Sequence, residues 1–245
     1  MARDHSMPDD RLPTPERVLV VAAHPDDIEF GAAGTVARWV GEGAEVRYLL
    51  FTNGDKGSDN PDMDPRSLGA QREAEQRSAA YEIGVSIVDF LGEPDGQLEA
   101  SLRLRERVTL AIRTFQPEVV MTHDPTVVFV NNEWVNHPDH RAVGQVTVDA
   151  VFPTARDPLN FPQHIERGFG PWKVAELFLW STNEANQIVD IGETLERKIA
   201  ALACHASQFH DFAETAKWLR RRAEELGERV GYPAAEGFRR VMLAR

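Results

Sequence analysis

The chain has a single cysteine, Cys204, among 245 residues, which excludes an intramolecular disulfide framework. A lone cysteine on an apolar helical face reads as a small core residue and is given no chemical role. No apolar run approaches the roughly 18 residues of a membrane span. The first 17 residues, rich in Asp, Arg and Pro, lack the apolar centre of a signal peptide. Lysine is scarce, four against 23 arginines, and 39 acidic residues against 27 basic ones give a formal charge of -12. Phosphate backbones are bound by clustered cations that displace counterions, so this balance excludes a nucleic-acid partner. The Arg-dense patch at residues 217–222 is followed by Glu224, Glu225 and Glu228 and reads as a solvated mixed-charge helix face. These absences describe a cytoplasmic protein with neither a membrane nor a polyanion partner.

What is present is a composition 42% hydrophobic and 27% charged, enough for one sizeable core. Short β-rich runs near 18–23, 45–51, 86–91, 118–122, 174–180 and 187–190 alternate with amphipathic segments near 31–42, 67–83, 99–115, 139–151, 193–206 and 211–227. That alternation predicts an α/β fold of βαβ units with a mostly parallel sheet. Residues 1–17 read as a disordered or extended arm and 18–245 as one domain. Three irregular stretches, 54–65, 124–136 and 153–172, are long for a compact domain, and such loops are more often functional than structural.

The chemistry concentrates in two clusters. His24-Pro25-Asp26-Asp27 follows the apolar run Val18-Leu19-Val20-Val21-Ala22, at a strand end, where open α/β sheets build ligand sites. Adjacent carboxylates repel, so a cation, a helix N-terminus or solvent must offset Asp26 beside Asp27. Asp26 alone reads equally well as a helix cap, but a cap does not account for His24. Neutral imidazole with carboxylate suits Zn²⁺, and a catalytic zinc takes three protein ligands, one more than the first cluster supplies. The second cluster, Asn136-His137-Pro138-Asp139-His140, offers two candidates: Pro138 opens a helix, with His140 in its first turn and His137 at its edge. His5, His123, His164, His205 and His210, taken singly, read as hydrogen-bonded surface or core residues.

These two clusters, in this order, resemble the zinc-dependent N-acetylglucosaminyl deacetylase family, also called LmbE-like or PIG-L. Thr52-Asn53-Gly54-Asp55, Arg72-Glu73, Pro94-Asp95-Gly96 and His205-Ala206-Ser207-Gln208 are similar to further family motifs. The likeness runs from about residue 18 to 210 and implies a Rossmann-like sheet flanked by helices. It implies that His24, Asp27 and His140 bind Zn²⁺, with Fe²⁺ or another divalent ion as alternatives. Asp26 becomes the general base, His137 the group that polarises the acyl oxygen, and Asp139 the acceptor that orients His137. Arg72, Asp55 and Asp95 match positions that contact sugar hydroxyls.

The implied reaction is hydrolysis of an N-acyl group, an acetyl above all, from an amino sugar, glycosylated natural product or thiol conjugate. The implied assembly is a homo-oligomer, trimer or hexamer. Val135 departs from the pattern, because some relatives carry a tyrosine there. The apolar segment at residues 126–132 reads as packing beneath a loop or as the lining of an acyl or aglycone pocket. Other classes stay open: hydration of an unsaturated dicarboxylate by the same metal constellation, Fe(II) oxygenase chemistry, and a non-catalytic zinc site. The α/β alternation argues against the barrel that usually hosts the oxygenases. The non-catalytic site normally needs four Cys or His ligands.

Overall fold

The computed structural model describes residues 12–244, so most of the expected N-terminal arm lies outside the described residues. Its described part, residues 12–16, has no regular structure, but Leu12 and Pro15 are buried. Strand β1 (Arg17–Ala22) is followed by helices α1 (Asp27–Gly31) and α2 (Ala33–Gly41), β2 (Glu45–Leu50), α3 (Pro65–Ile83), β3 (Ile87–Phe90), α4 (Leu102–Phe115) and β4 (Val119–His123). A small hairpin, β5 (Phe129–Val130) and β6 (Trp134–Val135), precedes α5 (Pro138–Asp149), a π-helical turn at Ala150–Thr154 and α6 (Pro162–Glu166). The chain continues through β7 (Glu176–Trp180), β8 (Gln187–Asp190), α7 (Leu195–Ala203), a 3₁₀ turn at Ala206–Gln208, α8 (Phe212–Glu228) and β9 (Ala235–Met242). No described helix is long and apolar enough to cross a membrane.

The main sheet has seven strands in the order β3-β2-β1-β4-β7-β9-β8. The first five run parallel, while β9 pairs antiparallel with β7 and β8. All six expected strands form. The seventh, β9, was not anticipated, because Gly237, Arg239 and Arg240 dilute the β pattern and Glu236 looks out of place in a core. Glu236 is buried and accepts from the Gly34 and Thr35 N–H groups, from the Thr35 hydroxyl and from Lys198, so its charge is paired at the start of α2.

Side chains of β1 alternate between two cores. Val18, Val20 and Ala22 pack with Val36 and Trp39 of α2 and Ala79, Ala80 and Ile83 of α3, while Leu19 and Val21 pack with Val108 and Ile112 of α4 and Val143 and Val146 of α5. A strand covered on both faces reads as an unbroken apolar run, which is how β1 is written. A third cluster, with Leu195, Leu202 and Leu219, joins α7 to α8.

The long loop at 153–172 is gathered by one buried side chain. Arg113 donates to the carbonyls of Ala155, Thr154, Phe161, Asp157 and Asn160. Burial pulls its guanidinium below the usual range, and five oriented carbonyls compensate for that desolvation. Arg113→Met, which keeps the stem but strands those oxygens, is expected to cost about 3 kcal/mol, read as a lower denaturant midpoint.

Strand order reverses between β1 and β4, β2 and β3 lying to one side and β7 to the other. Ligand crevices in such sheets open at that switch point, beyond the carboxyl ends of the strands. The first cluster follows β1 directly, and the second begins α5, which packs beside β1 and β4.

Candidate active site

Asp26 takes a left-handed conformation, φ 88° and ψ -22°, at the start of α1, and its carboxylate makes no capping bond to that helix. The helix-cap reading of Asp26 is therefore set aside. A non-glycine residue there carries about 1–2 kcal/mol of strain, and the turn separates the two adjacent carboxylates. Asp27 opens α1 and is buried, whereas Asp26 keeps partial access to solvent. Gly31 lets this short helix approach β7, since a Cβ there would lie 2.7 Å from the Trp180 ring.

The second cluster folds as its sequence dictates. Pro138 stands in the first turn of α5, and the His137 ring is its N-cap, Nδ1 accepting from the Asp139 N–H at 3.2 Å. That bond leaves the His137 proton on Nε2, on an exposed ring. The rings of His24, His137 and His140 lie 4.9, 5.3 and 5.4 Å apart, so residues more than a hundred positions distant share one cavity.

The hydrogen bonds fix where the remaining protons sit. Asn136 donates through its amide to the Val127 carbonyl, which turns Oδ1 toward His140 Nδ1 at 3.1 Å. His140 Nδ1 therefore carries the proton, and the Nε2 lone pair faces Asp27 Oδ1 at 3.0 Å. His24 Nε2 lies 3.1 Å from Asp95 Oδ1 and 3.3 Å from Asp139 Oδ2, so the proton belongs on that nitrogen and the Nδ1 lone pair faces Asp27 Oδ2 at 3.5 Å. Two imidazole lone pairs thus converge on the two oxygens of one carboxylate. Such an arrangement is stable only with a proton or a cation between them.

The electrostatics agree. Burial alone would lower His24, but hydrogen bonds to Asp139, Asp27 and Asp95 override it and push the ring up to about 12. Burial raises Asp27, yet the His140 and His123 rings against its two oxygens hold it well below the carboxylate range. Burial opposes ionisation of Asp95, but the His24 and Lys56 hydrogen bonds bring it down to about 2. The cavity holds more carboxylate charge than its imidazoles balance. A divalent cation fits it.

Close donor triads occur at His24, His137 and His140, at Asp27, His123 and His140, and at His24, Asp95 and Asp139. The expected triad of His24, Asp27 and His140 draws on the first two. His123, read from sequence as an ordinary core residue, belongs to this site. Trp180 Nε1 donates to its Nδ1 at 3.0 Å, which puts the proton on Nε2, 3.3 Å from Asp27 Oδ2. Its ring stacks on His140 at 4.2 Å, and burial keeps it neutral by lowering it to about 4. His123 therefore orients Asp27 and carries no lone pair for an ion. The signal was its place at the end of β4, beside the end of β1.

Two expectations are corrected. Asp139 was to orient His137; instead its carboxylate accepts from the Gly96 and Leu98 N–H groups and faces His24, because entry into α5 turns it away from its neighbour. Arg72 was to meet substrate. Its buried guanidinium instead donates to the Gly54 and Pro25 carbonyls and to Asp26 Oδ2 at 3.2 Å. Asp95 is largely enclosed, bonded to His24 and the Lys56 N–H. Asp55 precedes Lys56 in the loop between β2 and α3 and is half-buried.

Residues 19–151, which contain every residue of the two clusters, match the family model described as PIG-L: GlcNAc-PI de-N-acetylase. The chain belongs to the PIG-L family. The diacetylchitobiose deacetylase of Thermococcus kodakarensis is 30% identical over 228 residues, covering 92% of this chain and 83% of that protein. The solved N,N'-diacetylchitobiose deacetylase of Pyrococcus horikoshii, in complex with an inhibitor, superposes with a TM-score of 0.86 at 30% identity, covering 93% of this chain and 84% of that one. The 4-carboxy-2-hydroxymuconate hydratase GalB of Pseudomonas putida shares the fold, with a TM-score of 0.77 at 21% identity and coverage of 94% and 98%. The α/β sheet flanked by helices is thus the PIG-L fold, and relatives in this family are deacetylases.

Proposed function

We propose that this chain is a divalent-metal-dependent N-deacetylase that removes an acetyl group from the amine of an amino sugar or its glycoconjugate. The observation that carries the reading is the convergence of the His24 Nδ1 and His140 Nε2 lone pairs on Asp27, beside a second carboxylate, Asp26, that retains solvent access. His24, Asp27 and His140 would hold the ion, and two imidazoles with one carboxylate favour Zn²⁺, with Fe²⁺ the alternative. A zinc ion bound there would supply Lewis acidity and bring the pKa of a coordinated water to about 7.

The protein's own groups perform the rest. Asp26, held by Arg72, removes a proton from the attacking water as its oxygen bonds to the amide carbon. His137 donates through Nε2–H to the oxygen that gains negative charge, and losing such a donor costs about 10²-fold or more. Asp26 then returns its proton to the departing nitrogen as the C–N bond breaks, giving acetate and a free amine. Asp139 and Asp95 fix His24, while His123 and Asn136 fix Asp27 and His140, so neither ligand ring needs to reorient.

The rim suits a substrate with an apolar portion. Phe129, Trp134 and Val135 of the β5/β6 hairpin are exposed immediately before His137, and Val130 is buried beneath. The segment at 126–132 thus divides between packing and an open apolar lip. Hydration of a dicarboxylate is less well served, because Arg72 is already engaged by protein oxygens.

Purified protein loaded with Zn²⁺ is expected to release acetate from N,N'-diacetylchitobiose or another N-acetylated amino sugar, and to lose that activity on chelation. Silence across a panel of such sugars and glycosylated natural products, with turnover of a muconate-type acid, would overturn the reading.

A further inference from the structure

The motif His205-Ala206-Ser207-Gln208 supplies none of the groups described so far, yet His205 is completely buried. Its Nε2 lies 3.2 Å from Glu29 Oε2, the other Glu29 oxygen accepts from Gln76 Nε2 at 2.9 Å, and Gln76 Oε1 accepts from the Asp26 backbone N–H at 3.0 Å. Glu29, Gln76 and His205 all have 0% exposure. We propose that His205, Glu29 and Gln76 form a brace that positions Asp26 for its work as general base, a role that rests on the function proposed above.

The geometry points to Asp26 because the chain there is in a conformation that its residue type resists, φ 88°. Something outside the local sequence must hold it. Arg72 restrains one side, through the Pro25 carbonyl and the Asp26 carboxylate, and Gln76 restrains the other, through the backbone N–H. A side-chain amide is ambivalent, since either end can face a partner. Glu29 removes the ambiguity: it accepts only from the NH₂ end, so the Gln76 oxygen must face Asp26. His205 in turn donates to the remaining Glu29 oxygen.

A buried carboxylate, amide and imidazole in series are a poor way to fill a core, because apolar side chains of the same shape are often as stable or more so. Position is what the series provides. The same motif ties the brace to α3 and to the loop before it, where Ser207 donates to Glu75 and Gln208 to the Gly57 carbonyl.

Acetate release from N,N'-diacetylchitobiose by the zinc-loaded protein tests the brace. Gln76→Leu is expected to lower kcat about 10- to 100-fold, as a misplaced base does, with KM and metal content within about twofold of the parent. In an Asp26→Asn background the same change is expected to lower the residual kcat no further. His205→Gln, which keeps an N–H for Glu29, is expected to retain the parental kcat, whereas His205→Leu loses it.

Parental kcat in Gln76→Leu, or an undiminished loss in the Asp26→Asn background, overturns the brace. If Gln76→Leu does not fold, the His205 pair decides: a loss with Leu that Gln restores supports the brace, and equal rates overturn it. A parental rate in Asp26→Asn itself overturns the assigned base and the brace together. An inactive Asp26→Asn beside a fully active Gln76→Leu overturns the brace alone.

Discussion

Asp26→Asn is expected to lower the rate of acetate release about 10²- to 10⁴-fold while leaving the bound metal in place. The substitution keeps the shape of the side chain and its contact with Arg72 but removes what the mechanism asks of it, acceptance of a proton from water and its return to the leaving nitrogen. Burial pushes the Asp26 carboxyl up to about 6, against the opposing charge of Arg72. A raised carboxyl is protonated, and useless as a base, as pH falls through its pKa. Since a nearby cation draws that value down, the acid limb of kcat/KM is expected at or below pH 6. Metal analysis beside a pH–rate profile checks both parts. An acid limb above neutrality, or a full metal complement with an undiminished rate in Asp26→Asn, would place the base elsewhere.

Asp27→Ala is expected to do the reverse and empty the protein of metal. The carboxylate stands between the His24 and His140 lone pairs and receives the His24 backbone N–H at 2.7 Å and the His123 ring proton. Removing it takes away one donor and the organising centre of two others. After dialysis against metal-free buffer the variant should hold far less than the roughly one ion per chain of a three-ligand site. Asp139→Asn, which disturbs His24 only from behind, is expected to weaken metal affinity by about 10- to 100-fold without abolishing it. Equal metal retention by Asp27→Ala and the parent would mean that the ion is held by another triad, with His24, His137 and His140 the first to test.

Much of this was legible in the sequence because it is local. The strand β1 announces itself as an apolar run, Pro138 starts α5 where proline should, and two histidines within one helical turn have to share a face. What stayed hidden depends on partners remote in the chain. His123 sits in a strand with no neighbouring motif, and only the adjacency of β4 to β1 brings it to Asp27. Asp139 reads as the partner of His137 because it is two residues away, yet the helix start aims it at residues 96–98 and His24. Arg72 reads as a substrate contact until the Pro25 and Gly54 carbonyls are seen to claim it. Strand β9 failed the pattern test because its Glu236 charge is neutralised by Lys198 of α7, a helix that only the fold brings beside it.

The place of β9 in the sheet bears on how the molecule is made. It lies between β7 and β8, and β8 hydrogen-bonds to β9 and to no other strand of the described sheet. During synthesis, residues 187–190 emerge well before 235–242 and have nothing to pair with until β9 arrives. The parallel strands and both ligand clusters can assemble from the first 180 residues or so, but the far side of the sheet waits for a late, long-range pairing, the kind that slows folding. Nascent chains stalled between α7 and β9 should therefore display the edge of β7 as an open template for misassociation.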